Sequence, residues 1–99
     1  MYYMIYSTDK PNTLDLRLAT REQHLARLID LKNRGNLLMA GPLPAIDSEN
    51  PGEAGFTGSL VVAEFDNLAQ AQAWASDDPY LHAGVYEKSI VKPYKKVLP

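Results

Sequence analysis

Thr20-Arg21-Glu22-Gln23-His24-Leu25-Ala26-Arg27-Leu28-Ile29, followed by Gly35 and then Leu37-Leu38-Met39-Ala40-Gly41-Pro42, reads as one helix turning back into one strand. Thr20 with Gln23 three positions later matches a capping box, so the helix is expected to start at Thr20, with Asp15 to Ala19 as an extra turn before it. Leu25, Leu28 and Ile29 recur at helical spacing. Gly35 supplies the left-handed residue that closes such a helix. The apolar run from Leu37 is then a strand, stopped by Gly41-Pro42.

Outward from this pair the chain repeats the pattern. Tyr2 to Ser7 is short and aromatic, a strand ended by the breaker Asp9-Lys10-Pro11-Asn12. Leu43 to Gly58 is a long loop containing Pro44, Pro51, Gly52 and Gly55, and loops of that length often carry function. Ser59 to Phe65 is a valine-rich strand, Leu68 to Ala75 an alanine-rich helix behind Asp66-Asn67, and Asp77-Asp78-Pro79 a break. Tyr86 to Tyr94 is the last strand, with Pro93 tolerable on a sheet edge. The order β-α-β-β-α-β predicts an α+β, ferredoxin-like fold: a four-stranded antiparallel sheet with two helices on one face, in one domain over residues 1–99. Tyr, Met, Val and Leu in the strands also predict an apolar second face, which a homodimer would cover.

That topology brings distant residues to one end of the domain. The start of the first helix, with Arg21 and His24, meets Gly41 and Pro42, Ser59, and the turn Asp78 to Tyr80. At about 100° per residue, Arg21 falls within the apolar stripe and His24 on its flank. A cation there, with the positive end of the helix, points to a pocket for a small anion such as a carboxylate. Imidazole exchanges protons near neutrality, so His24 is a candidate general acid or base, and Asp78 a candidate partner that orients it. The same residues also read as plain structure. His24 is a helix histidine beside leucines, Asp78 before Pro79 is a natural N-cap, and Gly41-Pro42 ends a strand. Ser59 offers a hydroxyl but lacks the setting of a nucleophile. His82 reads as a surface residue.

Composition narrows the chemistry. The 99 residues contain no cysteine and two histidines, which excludes disulfides, thiolate metal sites and a cysteine nucleophile. His24, His82 and a carboxylate have no ligand-like spacing, so no metal is expected. Gly52, Gly55 and Gly58 precede no Lys-Ser/Thr, and no cofactor motif appears. A net charge of −2 lacks the basic surplus of a nucleic-acid binder. No apolar run reaches the ~20 residues of a membrane span, and Met1 to Tyr6 lacks the basic start of a signal peptide, so the expected location is the cytoplasm.

Five segments in order resemble the YCII-related (YciI-like) family: Arg21 to Leu25, Gly35 to Pro42, Gly55 to Ser59, Asp78-Pro79-Tyr80 with Ala83 to Tyr86, and Val91 to Tyr94. The resemblance covers nearly the whole chain. Tyr94 stands where many relatives have tryptophan or phenylalanine. It implies a ferredoxin-like fold, dimers of the α+β barrel type and a pocket His–Asp pair, which would be His24 and Asp78, with Arg21 as a further pocket residue. It also implies proton-transfer chemistry of the dehydrochlorinase or muconolactone isomerase kind. Two functions are therefore carried forward. One is a cofactor-free lyase or isomerase acting on a small anionic or cyclic substrate. The other is a non-catalytic dimer that binds or senses a small metabolite through Arg21, His24, Gly41, Pro42, Ser59, Asp78 and Tyr80.

Overall fold

The computed structural model describes residues 1–99. The chain runs β1 (Tyr2–Asp9), α1 (Leu14–Asn33), β2 (Leu37–Pro44), a short 3-10 turn (Gly52–Ala54), β3 (Phe56–Glu64), α2 (Leu68–Ser76), α3 (Pro79–His82) and β4 (Tyr86–Tyr94). The strands lie in the order β2-β3-β1-β4 and every neighbouring pair is antiparallel. This is the ferredoxin-like α+β arrangement, with α3 a single added turn after α2. No helix is long and apolar enough to cross a membrane.

Three boundaries differ from the sequence expectation, each for a physical reason. Helix α1 starts at Leu14, six residues early, and the amide of Arg17 already bonds the carbonyl of Thr13 at 2.8 Å. Thr20 is therefore no cap. Its hydroxyl donates back to the Leu16 carbonyl at 2.8 Å, the bond a mid-helix threonine makes. Strand β2 does not stop at Gly41-Pro42 but continues to Pro44, because it is an edge strand where a missing N–H is harmless. Strand β3 correspondingly starts at Phe56, and Leu43 pairs with Gly58, so the long loop shrinks to residues 45–55.

One sheet face packs under the helices. Ile5, Val61 and Ala63 meet Leu28 and Leu31 of α1 and Ala75 of α2 in the apolar core, with Leu37, Phe65 and Trp74 at its margin. Fully burying a side chain such as Leu31 contributes about 1.5–3 kcal/mol. On the other face lie Tyr6, Met39, Ile90 and Tyr94, each more than a third exposed.

Gly58 sets how closely β1 and β3 approach at the end of the sheet. A Cβ placed there would overlap the backbone carbonyl oxygen of Ser7, whereas one at Gly41 meets nothing within 4 Å. Gly58→Ala is expected to lower unfolding free energy by about 1–3 kcal/mol in urea titrations. Gly41→Ala is expected to change it by less than about 0.5 kcal/mol.

Candidate active site

The buried face of α1 changes character along its length. Its buried residues are Arg17, Thr20, His24, Leu28 and Leu31, at intervals of three or four, so they form one stripe. The lower half is leucine and the upper half is polar. The sheet beneath changes in step: Ile5 pairs with Val61, but the next inward pair is Ser7 with Ser59. A polar chamber therefore sits where another layer of core would otherwise lie.

His24 is held in that chamber by three groups. Its Nδ1 lies 3.0 and 3.1 Å from the two carboxylate oxygens of Asp78. A carboxylate only accepts, so Nδ1 carries the hydrogen and, in the neutral ring, Nε2 keeps its lone pair. Nε2 has no protein partner. The ring stacks on Tyr80 at 4.1 Å between centroids and 22° between planes, and meets the ring of Tyr86 nearly edge-on at 6.4 Å. Asp78 is itself fixed, because its Oδ1 also accepts the Tyr80 amide at 2.9 Å as the N-cap of α3, with Pro79 in the first helical position. The capping and orienting arrangements coexist in one carboxylate.

Arg17 is the residue that sequence reasoning missed. It is 5% exposed and its Nε donates to Asp9 Oδ2 at 2.9 Å. Its Nη2 reaches Asp9 Oδ1 at 3.2 Å, the Gly58 carbonyl at 2.9 Å and the Ser59 hydroxyl at 2.8 Å. The guanidinium also lies 4.7 Å from the centre of the Tyr80 ring. Burial works against this charge, but the bond and attraction to Asp9 outweigh it and raise the pKa. The signal was helical arithmetic: seven residues turn about 700°, so Arg17 and His24 lie within about 20° of each other. Starting the helix at Thr20 hid that relation. Arg21 correspondingly does not lie in the buried stripe; it is exposed at the mouth.

Arg17, Arg21, His24, Gly41, Pro42, Ser59 and Tyr80 border one cavity of about 170 Å³, floored by Leu28 and Val61. Asp78 stands behind His24. The expected site residues thus come together, with Arg17 added. His82 is exposed and 3.2 Å from the equally exposed Asp77. No three His, Asp or Glu side chains converge as metal ligands would. A larger depression bordered by Met1, Arg34 and Phe65 contains no histidine.

Comparisons with known proteins bear on this site. A family model described as the YCII-related domain matches residues 1–95. An uncharacterized protein of Haemophilus influenzae is 64% identical over 97 residues, covering 98% of this chain and 99% of that one. Protein YciI of Escherichia coli is 60% identical over the same span, with the same coverage. Among solved structures, the 5-chloro-2-hydroxyhydroquinone dehydrochlorinase TftG of Burkholderia phenoliruptrix, in complex with 2,5-dihydroxybenzoquinone, superposes with a TM-score of 0.83. It is 27% identical, covering 96% of this chain and 94% of its own.

The site's two buried phenols give it a pH signature. Burial raises the pKa of Tyr86 well above the usual 10.0, partly offset by the nearby Ser59 hydroxyl. Burial likewise raises that of Tyr80, offset in part by Arg17 and Arg21. The folded chain keeps these protons at a pH where the unfolded chain has released them. Their contribution is therefore complete below pH 10.0 and falls as pH rises beyond it. Alkaline denaturation followed by circular dichroism is expected to begin above that value, and Tyr86→Phe to make the decline shallower.

Proposed function

This chain belongs to the YCII-related family, and from that premise we propose that the cavity is the active site of a small cofactor-free enzyme of the lyase or isomerase type. The observation that carries the reading is the His24 imidazole, bonded through Nδ1 to a buried carboxylate and bordering the cavity, with no protein partner on its other nitrogen.

The chemistry follows from that arrangement. Nε2 of His24 takes a proton from a carbon next to a carbonyl. The electron pair of the broken C–H bond becomes a C=C bond, and the carbonyl pair moves onto oxygen. Asp78 stabilises the imidazolium that results and keeps the ring in its working tautomer. The oxygen pair then returns. Either a different carbon takes the proton back from His24, which is an isomerisation, or a neighbouring leaving group departs with the electrons, which is an elimination. In the second case the proton on His24 passes to solvent.

Size and likeness support this reading. A cavity of ~150 Å³ accommodates a benzene ring, so about 170 Å³ suits one small substituted ring. The structural neighbour TftG is named for removing chloride from a hydroxylated ring, a reaction of the elimination kind. Arg21 at the mouth and the Arg17 guanidinium in the wall offer hydrogen-bond donors to an anionic substrate or intermediate.

The protein is further read as a homodimer, with a second copy covering Tyr6, Ile90 and Tyr94 on the outer sheet face. Sedimentation velocity is expected to show a dimer, and Tyr6→Lys combined with Ile90→Lys to shift it toward monomer. For the catalytic reading, candidate activated rings such as 5-chloro-2-hydroxyhydroquinone are incubated with the protein and product release is followed. His24→Ala and Asp78→Asn are each expected to retain the fold and lose at least about 100-fold in turnover. Wild-type turnover in both variants overturns the assignment. A compound that is retained but never converted identifies a binding protein instead.

A further inference from the structure

Arg17 has donors left over. A guanidinium carries five N–H groups. Nε uses one on Asp9, and the two on Nη2 are shared among Asp9, the Gly58 carbonyl and the Ser59 hydroxyl. None of these bonds uses Nη1; the Tyr80 hydroxyl, on the same cavity, also feels the guanidinium as a donor. Nη1 is not a sealed, orphaned atom; the side chain whose terminal nitrogen is sealed without a partner is Arg27. The open space that Arg17 borders is the cavity it shares with His24. The Arg17 guanidinium and the His24 imidazole, each with a nitrogen outside the bonds above, therefore border one cavity.

Resting on the proton-transfer reading of this same cavity, we propose that Arg17 Nη1 is the oxyanion-binding group, and that the ligand class is a small ring bearing a delocalised oxyanion, an enolate or phenolate, rather than a compact carboxylate. When His24 removes the carbon-bound proton, the carbonyl oxygen that gains the electron pair accepts hydrogen bonds from Nη1. No further reactant is needed, and return of the proton reverses the step.

The preference for a delocalised anion comes from Asp9. Its carboxylate lies 2.9 Å behind the guanidinium and is buried with it, so the cavity faces an ion pair rather than a free cation. A compact carboxylate entering from water would lose its hydration and meet a charge already largely balanced. An enolate or phenolate spreads its charge over the ring and is less costly to desolvate. An enolate formed in place also meets a donor that is already aligned, the condition under which such stabilisation is largest. Arg21, exposed at the mouth, attracts anions without holding them in the chamber.

The test uses 4-nitrophenol and benzoate, anions of similar size with delocalised and compact charge. Binding is measured by calorimetry and by the absorbance of the bound phenolate. Wild type is expected to bind 4-nitrophenolate about tenfold more tightly than benzoate, and to move ionisation of the bound phenol to lower pH. Arg17→Lys keeps a cation beside Asp9 but lacks the two-armed fork. It is expected to fold, to bind 4-nitrophenolate about tenfold more weakly, and to lose the ionisation shift. Equal or tighter binding of benzoate, no binding of 4-nitrophenolate by wild type, or unaltered binding in Arg17→Lys overturns the proposal. If Arg17→Lys does not fold, the two-anion comparison on wild type still decides. His24→Ala separates this claim from the one it rests on. Retained turnover in that variant, with the ionisation shift intact, refutes His24 as the base and leaves the oxyanion site standing.

Discussion

The upper end of this domain depends on the buried ion pair between Arg17 and Asp9. Both side chains are almost fully enclosed, at 6% and 4% exposure, so neither can regain water without opening the structure. Removing one partner of such a pair costs about 3–5 kcal/mol, while replacing both with apolar groups of the same shape often costs nothing. Stability alone therefore does not account for a charge pair here. The pair does, however, locate three elements at once. Asp9 ends β1, Arg17 lies on the first turns of α1, and the same guanidinium reaches Gly58 and Ser59 on β3. The cavity is the space left once those three ends are tied together.

Asp78 performs the corresponding service on the opposite wall. One of its oxygens accepts the Tyr80 amide and also faces His24. The capping bond fixes the carboxylate, the carboxylate fixes the imidazole, and the turn it caps delivers Tyr80 to stack on that imidazole. Tyr80 then touches both walls, with the Arg17 guanidinium 4.7 Å from its ring centre and the His24 ring centroid at 4.1 Å. The two walls are thus coupled through one aromatic ring. Small rearrangements of α3 would reach both His24 and Arg17.

Much of this was legible in the residues because it follows from element order. Helix α1 begins, and α2 ends, at the same edge of a ferredoxin-like sheet, so His24 and Asp78, 54 positions apart, had to share that edge. What escaped was local. A capping-box pattern at Thr20 is a true helix-start signal, yet here Thr20 bonds back to Leu16 inside a longer helix, and tertiary packing of the Arg17 turn decides where the helix begins. The loop before β3 looked long because Pro42, Pro44 and Gly58 read as breakers. On an edge strand the prolines lose nothing, and at Gly58 the missing side chain is what lets the strands approach.

The balance between core and site has a consequence for assembly. Of the 21 buried residues, six are polar or charged: Ser7, Arg17, Thr20, His24, Ser59 and Asp78. All six lie at the end of the sheet occupied by the cavity. A chain this short buries only about two-thirds of the surface it exposes unfolded, and here nearly a third of its buried residues are polar or charged rather than apolar core. The remaining core contains few large side chains, and alanine fills several of its positions. Meanwhile tyrosine, methionine and isoleucine remain exposed across the opposite face. Covering that face with a second copy would restore the apolar burial the chamber displaces. The uncovered face and the polar chamber are then two sides of one allocation: the helix-facing side gives up a layer of core to polar groups, and the outer side keeps apolar surface that a second copy would bury.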